Sequence, residues 1–417
     1  MRCFDTVIGN RPNDNNRHFL IVTAASRHGT LKWQVMGVRP HFLFDLIVYL
    51  VSLGAICILR RWNSVQPRVT VPDPIKKRIG TGLAIAAVWL SVGMALTPAA
   101  ISKHLPNFWT SWIHAGAVAI AAWSMAAVVL AAIWKSVPVF DPKRRKFLRV
   151  ARAATFAAPV VATGFGIIQR EHLTLREVDV HIPNLPKDLQ GLRLVQISDI
   201  HLSPFVSESL LARAIDMANE THAHIGLVTG DLITRMGDPL DLCLKHLARL
   251  KVDAPILGCL GNHEIYAESE EYTTRAGLDI GIRFLRGGAQ ILRFGKSRIN
   301  FAGFDYQRKG SEYLPGAEKM VVPGALNIML SHSPDVFPVA AAKGYDLTLS
   351  GHTHGGQVNV EILHQGLNIA RFITPYVDGL YREGNASIFV TRGVGTVGLP
   401  ARLGVPPEIA LIRLCAT

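Results

Sequence analysis

Acidic residues are scarce where the chain is most apolar. Only five of its 31 Asp and Glu fall in positions 1–170, against 21 Lys and Arg, so that stretch carries a formal +16. Residues 171–417 hold 23 basic and 26 acidic residues and carry −3, so the net +13 belongs to the first part alone. A carboxy-terminal part with no positive excess is not built to bind nucleic acid, whereas Lys and Arg beside apolar runs suit a membrane module. Cysteine is also scarce: Cys3, Cys57, Cys243, Cys259 and Cys415 form no C-x-x-C pair, which argues against a disulfide framework and a zinc knuckle. Cys243 and Cys259 remain a pair that folding could bring together. With 18% charged and 49% hydrophobic residues in 417, neither a disordered chain nor a collagen-like repeat fits.

What is present begins with long apolar runs. Phe42–Leu59, Ile79–Ile101 and Trp109–Trp134 approach or exceed the roughly 20 residues that a helix needs to cross a bilayer. The loop after the first holds Arg60, Arg61, Arg68, Lys76, Lys77 and Arg78, while Lys103 is the one basic residue between the second run and Trp109. The bias of Lys and Arg toward the cytoplasm puts the first loop inside and the second outside, and the basic segment Lys135–Arg149 inside again. A weaker run, Ala151–Ile168, follows Arg144-Arg145-x-Phe147-Leu148, which resembles a twin-arginine export signal. This run is either a fourth span, with everything after about residue 170 extracytoplasmic, or a linker helix that leaves the rest in the cytoplasm. The domain reading is a polar basic tail over 1–40, a membrane module of three or four helices over 41–170, a linker over 171–190 and a catalytic domain over 191–417.

The remainder alternates. Leu192–Ile197, Ile225–Thr229, Pro255–Leu260, Asn327–Leu330 and Tyr345–Leu349 read as strands, with helices over Ser207–Glu220 and Pro239–Leu250 between the first three. Each strand releases polar residues at its carboxyl end: Asp199 and His201, Asp231, Asn262-His263-Glu264, His332, then His352 and His354. In α/β architecture those ends face one crevice, where ligands bind. Residues two apart in an extended stretch share a side, so Asp199 with His201 and His352 with His354 are expected to point together, and adjacent Asn262 and His263 to do different work. Mixed carboxylate, amide and imidazole donors suit Mn, Fe, Zn or Co rather than calcium, and the lack of thiolate argues against a structural zinc site. A lone His332 would read as a hydrogen-bonded loop residue, as His222, His224 and His246 do; the ordered set reverses that reading.

Together Asp199-x-His201, Gly230-Asp231, Gly261-Asn262-His263-Glu264, His332 and Gly351-His352-x-His354 resemble the ordered motifs of the calcineurin-like metallophosphoesterase family. Gly355-Gly356-Gln357 and Thr391-Arg392-Gly393-Val394-Gly395 resemble its membrane-associated bacterial branch. The resemblance covers about residues 190–410. It implies an α/β fold, a two-sheet sandwich flanked by helices and preceded here by an all-α transmembrane module. It implies two divalent ions such as Mn, Zn or Fe, one held by Asp199, His201 and His354, the other by Asn262, His332 and His352, with Asp231 bridging. It also implies that His263 is no ligand but meets the phosphate or protonates the leaving oxygen, with Glu264, where many relatives have aspartate, orienting it. Arg392 is either a phosphate contact or a structural arginine.

The expected function is a membrane-anchored, metal-dependent phosphoric ester hydrolase acting on a phosphorylated small molecule or lipid, with a lipid-linked phosphodiester or pyrophosphate in view and no nucleic-acid partner. Its expected place is a bacterial inner membrane with the catalytic domain outside. The alternative is a non-catalytic membrane sensor or binding module on the same fold.

Overall fold

A computed structural model describes residues 42–65, 73–96, 105–136, 142–362 and 365–417; the tail over 1–40 lies outside them. Four helices come first: α1 (Phe42–Val65), α2 (Asp73–Ala95), α3 (Asn107–Ser136) and α4 (Pro142–Gln169). All four are long and apolar enough to cross a membrane, the fourth through Val150–Gln169, and the chain is a multi-pass membrane protein. Small residues let these helices approach: Trp89 of α2 lies over Gly116 of α3, where an added Cβ would come within 2.5 Å of its indole nitrogen.

At about 1.5 Å per residue α3 is near 45 Å long, well beyond a bilayer's hydrocarbon thickness of about 30 Å. Its first turns are accounted for elsewhere. Ala115 belongs to the same buried cluster as Phe205, and Trp112 packs edge-on against Phe205 with ring centroids 5.3 Å apart. The carboxyl end of α4 arrives beside it, with the Arg170 guanidinium 5.7 Å over the Trp112 ring.

The segment expected as a linker carries β1 (Thr174–Ile182), which pairs in parallel along its whole length with the last strand, β14 (Glu408–Ala416). Its half-buried, alternating face explains why it reads weakly in sequence. Then come β2 (Arg193–Ile197), α5 (Glu208–Glu220), β3 (Ile225–Thr229), α6 (Leu240–Leu247), β4 (Ile256–Cys259), α7 (Asn262–Tyr266), α8 (Glu270–Asp279) and β5 (Ile282–Phe284). The Ser207 side chain caps α5 by accepting from Leu210 N. After these lie β6 (Gly288–Phe294), β7 (Ser297–Phe304), β8 (Leu326–Ser331), α9 (Phe337–Ala342), β9 (Leu347–Ser350), the hairpin β10 (Asn359–Ile362) and β11 (Gln365–Asn368), β12 (Gly379–Glu383) and β13 (Ala386–Val390).

Two six-stranded sheets result, ordered β1-β14-β2-β3-β4-β5 and β12-β13-β9-β8-β7-β6. Leu194, Leu227 and Leu257 of the first meet Phe301, Ile328, Leu330 and Leu349 of the second in one fully buried layer. The alternate residues Val195, Ile197 and Val228 face the other way, onto Leu211, Ile215 and Leu244 of the helices. Burial on both faces makes these strands nearly continuous apolar runs, each buried Leu or Ile adding roughly 1.5–3 kcal/mol. The sandwich thereby holds the carboxyl ends of β2, β3, β4, β8 and β9 along one edge. Cys243 and Cys259 are both free and buried, so the pair left open by the sequence forms no disulfide.

Candidate metal centre

The loops at that edge bring the sequence-predicted donors together. Asp199, His201 and His354 form one trio whose donor atoms all lie within 4.8 Å of one another; Asp231, His332 and His352 form a second. His201 Nε2 is 3.1 Å from His354 Nε2, and His354 Nε2 is 3.4 Å from Asp199 Oδ1. Asp231 lies between the sets, its Oδ2 3.4 Å from His201 Nε2 and 3.0 Å from His332 Nε2. All of these except His352 are buried, and His352 is half-buried.

The backbone achieves this in a way that two-residue spacing did not anticipate. Asp199 and His201 are not extended: their φ values are 51° and 47°, and Asp231, His352 and His354 also sit in the left-handed region at 56°, 74° and 52°. Non-glycine residues there are strained by order 1–3 kcal/mol each, a cost that the surrounding packing must hold. The twist lets two donors that flank one residue converge without a continuing strand. It also separates His352 and His354, expected on one face, into different trios. Gly230 makes the approach of neighbouring loops possible, since a Cβ there would lie 2.5 Å from Gly261 N.

Residues 192–356 match the calcineurin-like phosphoesterase family. A transmembrane protein with metallophosphoesterase domain from Danio rerio is 34% identical over 253 residues, 57% of this chain and 56% of that protein, so the match spans little more than half its length. The uncharacterized metallophosphoesterase YkuE of Bacillus subtilis is 29% identical over 290 residues, covering 66% of this chain and 98% of the relative. Phosphodiesterase YaeI of Escherichia coli is 30% identical over 281 residues, covering 65% of this chain and 98% of the relative. The chain belongs to the calcineurin-like phosphoesterase family.

In this calcineurin-like centre the residues fit a pair of divalent cations. Asn262 Oδ1 is buried without a hydrogen-bond partner, a costly arrangement that a bound cation would relieve, and the carboxylate and imidazole donors of each trio crowd within 4.8 Å of one another. His332 donates Nδ1–H to Thr229 O at 2.7 Å, which turns its Nε2 toward the centre. His263 donates Nδ1–H to Thr234 O at 2.6 Å and likewise keeps Nε2 for the site, and its backbone N–H donates to Asp231 Oδ1 at 2.9 Å. His263 also lies within donor distance of His201 and Asp231.

Charge follows from this crowding. Burial pushes Asp199 up to about 6, against the pull of His332. Burial would raise Asp231 too, yet His332, His263 and His201 hold its carboxyl well below the usual range. His332 is lowered by burial but pushed by Asp231 and Asp199 up to about 10, whereas burial keeps His201 and His354 well below the ordinary imidazole value.

Glu264 does not touch the His263 ring. Its carboxylate accepts from the backbone N–H of Asp231 (2.9 Å), Leu232 (2.7 Å) and Gly261 (2.8 Å), stitching the β3 and β4 exit loops together. Arg392 is engaged by Asp378, 2.8 Å from its Nε, and by Glu408 at 3.6 Å, a structural use of the side chain. His224 accepts from Arg193 N, and His246 bridges Glu208 and Arg249, as ordinary histidines do.

Sequence reasoning missed Arg402. This fully buried side chain donates Nε–H to Gly395 O (3.0 Å), Nη1–H to His354 O (3.0 Å) and Nη2–H to Arg392 O (2.8 Å), and its Nη2 lies 3.2 Å from His354 Nδ1. It clamps the His354 loop to the 391–395 loop. The signal was an arginine in a run otherwise free of acid partners, which does not distinguish it from a surface residue.

Proposed function

We propose that this protein is a membrane-anchored dinuclear-metal phosphoesterase in which Asp199, His201 and His354 hold one divalent cation, Asn262, His332 and His352 hold the other, and Asp231 joins them. The position of Asp231 between the two trios carries this reading. Two such cations, when bound, supply Lewis acidity toward a phosphate and lower the pKa of a water. The chain's own part is to place and to protonate. Thr234 O fixes the His263 ring and leaves Nε2 for the centre, where it can hand a proton to the leaving oxygen. Glu264 holds the loops of Asp231 and Asn262 in register. Tyr306, its ring 5.2 Å from that of His352, and Tyr266, 5.4 Å from that of His263, wall the approach.

A phosphodiester or pyrophosphate in a lipid or envelope component is the substrate class we favour, because tethering raises effective concentration toward membrane substrates. The amino end of α3 and the carboxyl end of α4 both meet the catalytic domain. With the basic α1–α2 loop inside, this supports an extracytoplasmic domain on a bacterial cytoplasmic membrane. The test is hydrolysis of bis-p-nitrophenyl phosphate and p-nitrophenyl phosphate by the full chain with Mn, with Zn and without metal. Metal-dependent turnover that Asp231→Asn abolishes is expected; no turnover from a folded, metal-loaded chain would favour a non-catalytic module.

A further inference from the structure

The catalytic domain leaves few large apolar side chains in the open, and they are not spread evenly. Among the described residues of 171–417, four of the five most exposed are Phe372 (87%), Ile373 (64%), Met236 (61%) and Tyr266 (57%), with Leu278 (58%) the exception. Met236 and Tyr266 adjoin the metal centre, and Phe372 and Ile373 are tied to the 306–309 loop that reaches it. Met236 lies two residues past Thr234, whose hydroxyl and carbonyl touch His201 and His263. Tyr266 packs edge-on to His263. Ile373 O accepts from Lys309 Nζ at 2.8 Å, and Lys309 is three residues from Tyr306. A polar centre rimmed by exposed apolar side chains is the signature of an interaction surface.

The rim is continuous with the membrane module. Met236 O accepts from the side chain of Asn107, the first residue of α3, at 3.3 Å, and the exposed Phe108 and Trp109 follow it, aromatic residues of the kind enriched at membrane–water interfaces. On the other side Arg402 N donates to Gly166 O and Gly404 N to Gln169 Oε1, both in the last turn of α4. Leu403 O then accepts from Asn359 N at the start of β10, whose partner β11 runs directly into 369–373. Arg308, Lys309 and Arg371 are exposed on the same rim, a basic fringe that suits an anionic lipid surface.

We propose that this rim sits in the headgroup layer, so that a phosphoester reaches the centre from the lipid surface while its apolar tail stays in the bilayer. The proposal rests on the phosphoesterase reading above for its chemistry, but the placement of the rim stands separately.

Two measurements on the full chain, in nanodiscs of phosphatidylcholine and phosphatidylglycerol, test it. The first places spin labels through Met236→Cys, Phe372→Cys and, as a control of comparable exposure, Leu278→Cys, in a chain carrying Cys3→Ser, Cys57→Ser and Cys415→Ser. Labels at 236 and 372 should be more accessible to oxygen than to a water-soluble nickel chelate, and the label at 278 the reverse; three labels with the same aqueous profile overturn the proposal whatever the activity.

The second compares hexadecyl p-nitrophenyl phosphate with methyl p-nitrophenyl phosphate in the Mn-loaded protein. In both, water adds to phosphorus and gives up a proton to solvent as the bond to p-nitrophenolate breaks, the electron pair leaving on the phenolate oxygen. The combined Met236→Ser, Phe372→Ser, Ile373→Ser variant should lose about tenfold or more in kcat/KM on the hexadecyl ester and keep its rate on the methyl ester. Equal loss on both, or none on either, overturns the proposal and points to a soluble substrate. If neither ester is hydrolysed by the loaded protein, the phosphoesterase reading fails while the labels still decide the rim.

Discussion

Replacing Arg402 with methionine removes the donors of a fully buried guanidinium at similar length. The carbonyls of His354 and Gly393 also accept from Gln357 N and Glu408 N, so they keep a partner. Those of Arg392 and Gly395 depend on Arg402. Two unmet buried carbonyls cost about 1–3 kcal/mol each, and weakened bonds at the other two add to that, for a gross loss near ~5 kcal/mol. Burial also disfavours the charged guanidinium, lowering its pKa to about 10, so methionine recovers part of that cost. A net loss of about 3–4 kcal/mol remains, which for a domain of this size is a fall in melting temperature of about 10 °C. Because Nη2 and Nη1 hold the His354 ring and backbone, the same variant should bind less than two equivalents of Mn, read by elemental analysis after gel filtration. Arg402→Lys should recover little, since an ammonium has no planar fork to reach Gly395, His354 and Arg392 at once. A methionine variant that melts within about 2 °C of the parent and holds metal normally would refute the clamp.

His263→Gln should slow hydrolysis of an alkyl phosphodiester by about 10²–10⁴-fold while metal content stays unchanged, and should slow a p-nitrophenyl ester much less, because that leaving group needs no proton; loss of metal instead would make His263 a ligand. Glu264→Ala strands the three backbone amides of Asp231, Leu232 and Gly261 and should cost roughly 3–6 kcal/mol in thermal or denaturant unfolding. Cation titrations should show the two trios responding to pH in different ranges. His332 keeps its proton up to about 10, so affinity at the Asp231, His332 and His352 trio should climb with rising pH through neutrality. His201 and His354 are already neutral there, so the other trio should weaken only as pH falls through the value of about 6 at Asp199. Equal pH slopes at both would contradict this. Burial holds the thiol pKa values of Cys243 and Cys259 above the ordinary value, so neither should alkylate in the folded chain, as mass spectrometry after iodoacetamide treatment would report.

Much of the centre was legible because strand-end motifs are local. A short apolar run followed by Asp199-x-His201 or His352-x-His354 specifies both a sheet edge and its donors, and the order of the blocks made the family readable. The spans were legible for the same reason, since length and apolar content act along the chain. The Ile225–Thr229 strand coincides with its apolar run to the residue, while β1 reads as linker because half of it faces solvent and it relies on β14, more than 230 positions away, for its pairing.

By itself, the sequence determined that membrane helices precede an α/β domain, which residue types gather at the strand ends, and that they suit two divalent cations. The family motifs implied how those donors divide, but only the tertiary structure decided the backbone that divides them. Left-handed backbone at Asp199, His201, Asp231, His352 and His354 is imposed by packing between loops, not by local preference, and it parts His352 from His354. The same holds for Glu264, Arg402 and the seam with α3 and α4. Most of their roles are hydrogen bonds to backbone groups, and a backbone carbonyl or amide looks alike at every position until folding brings a partner to it.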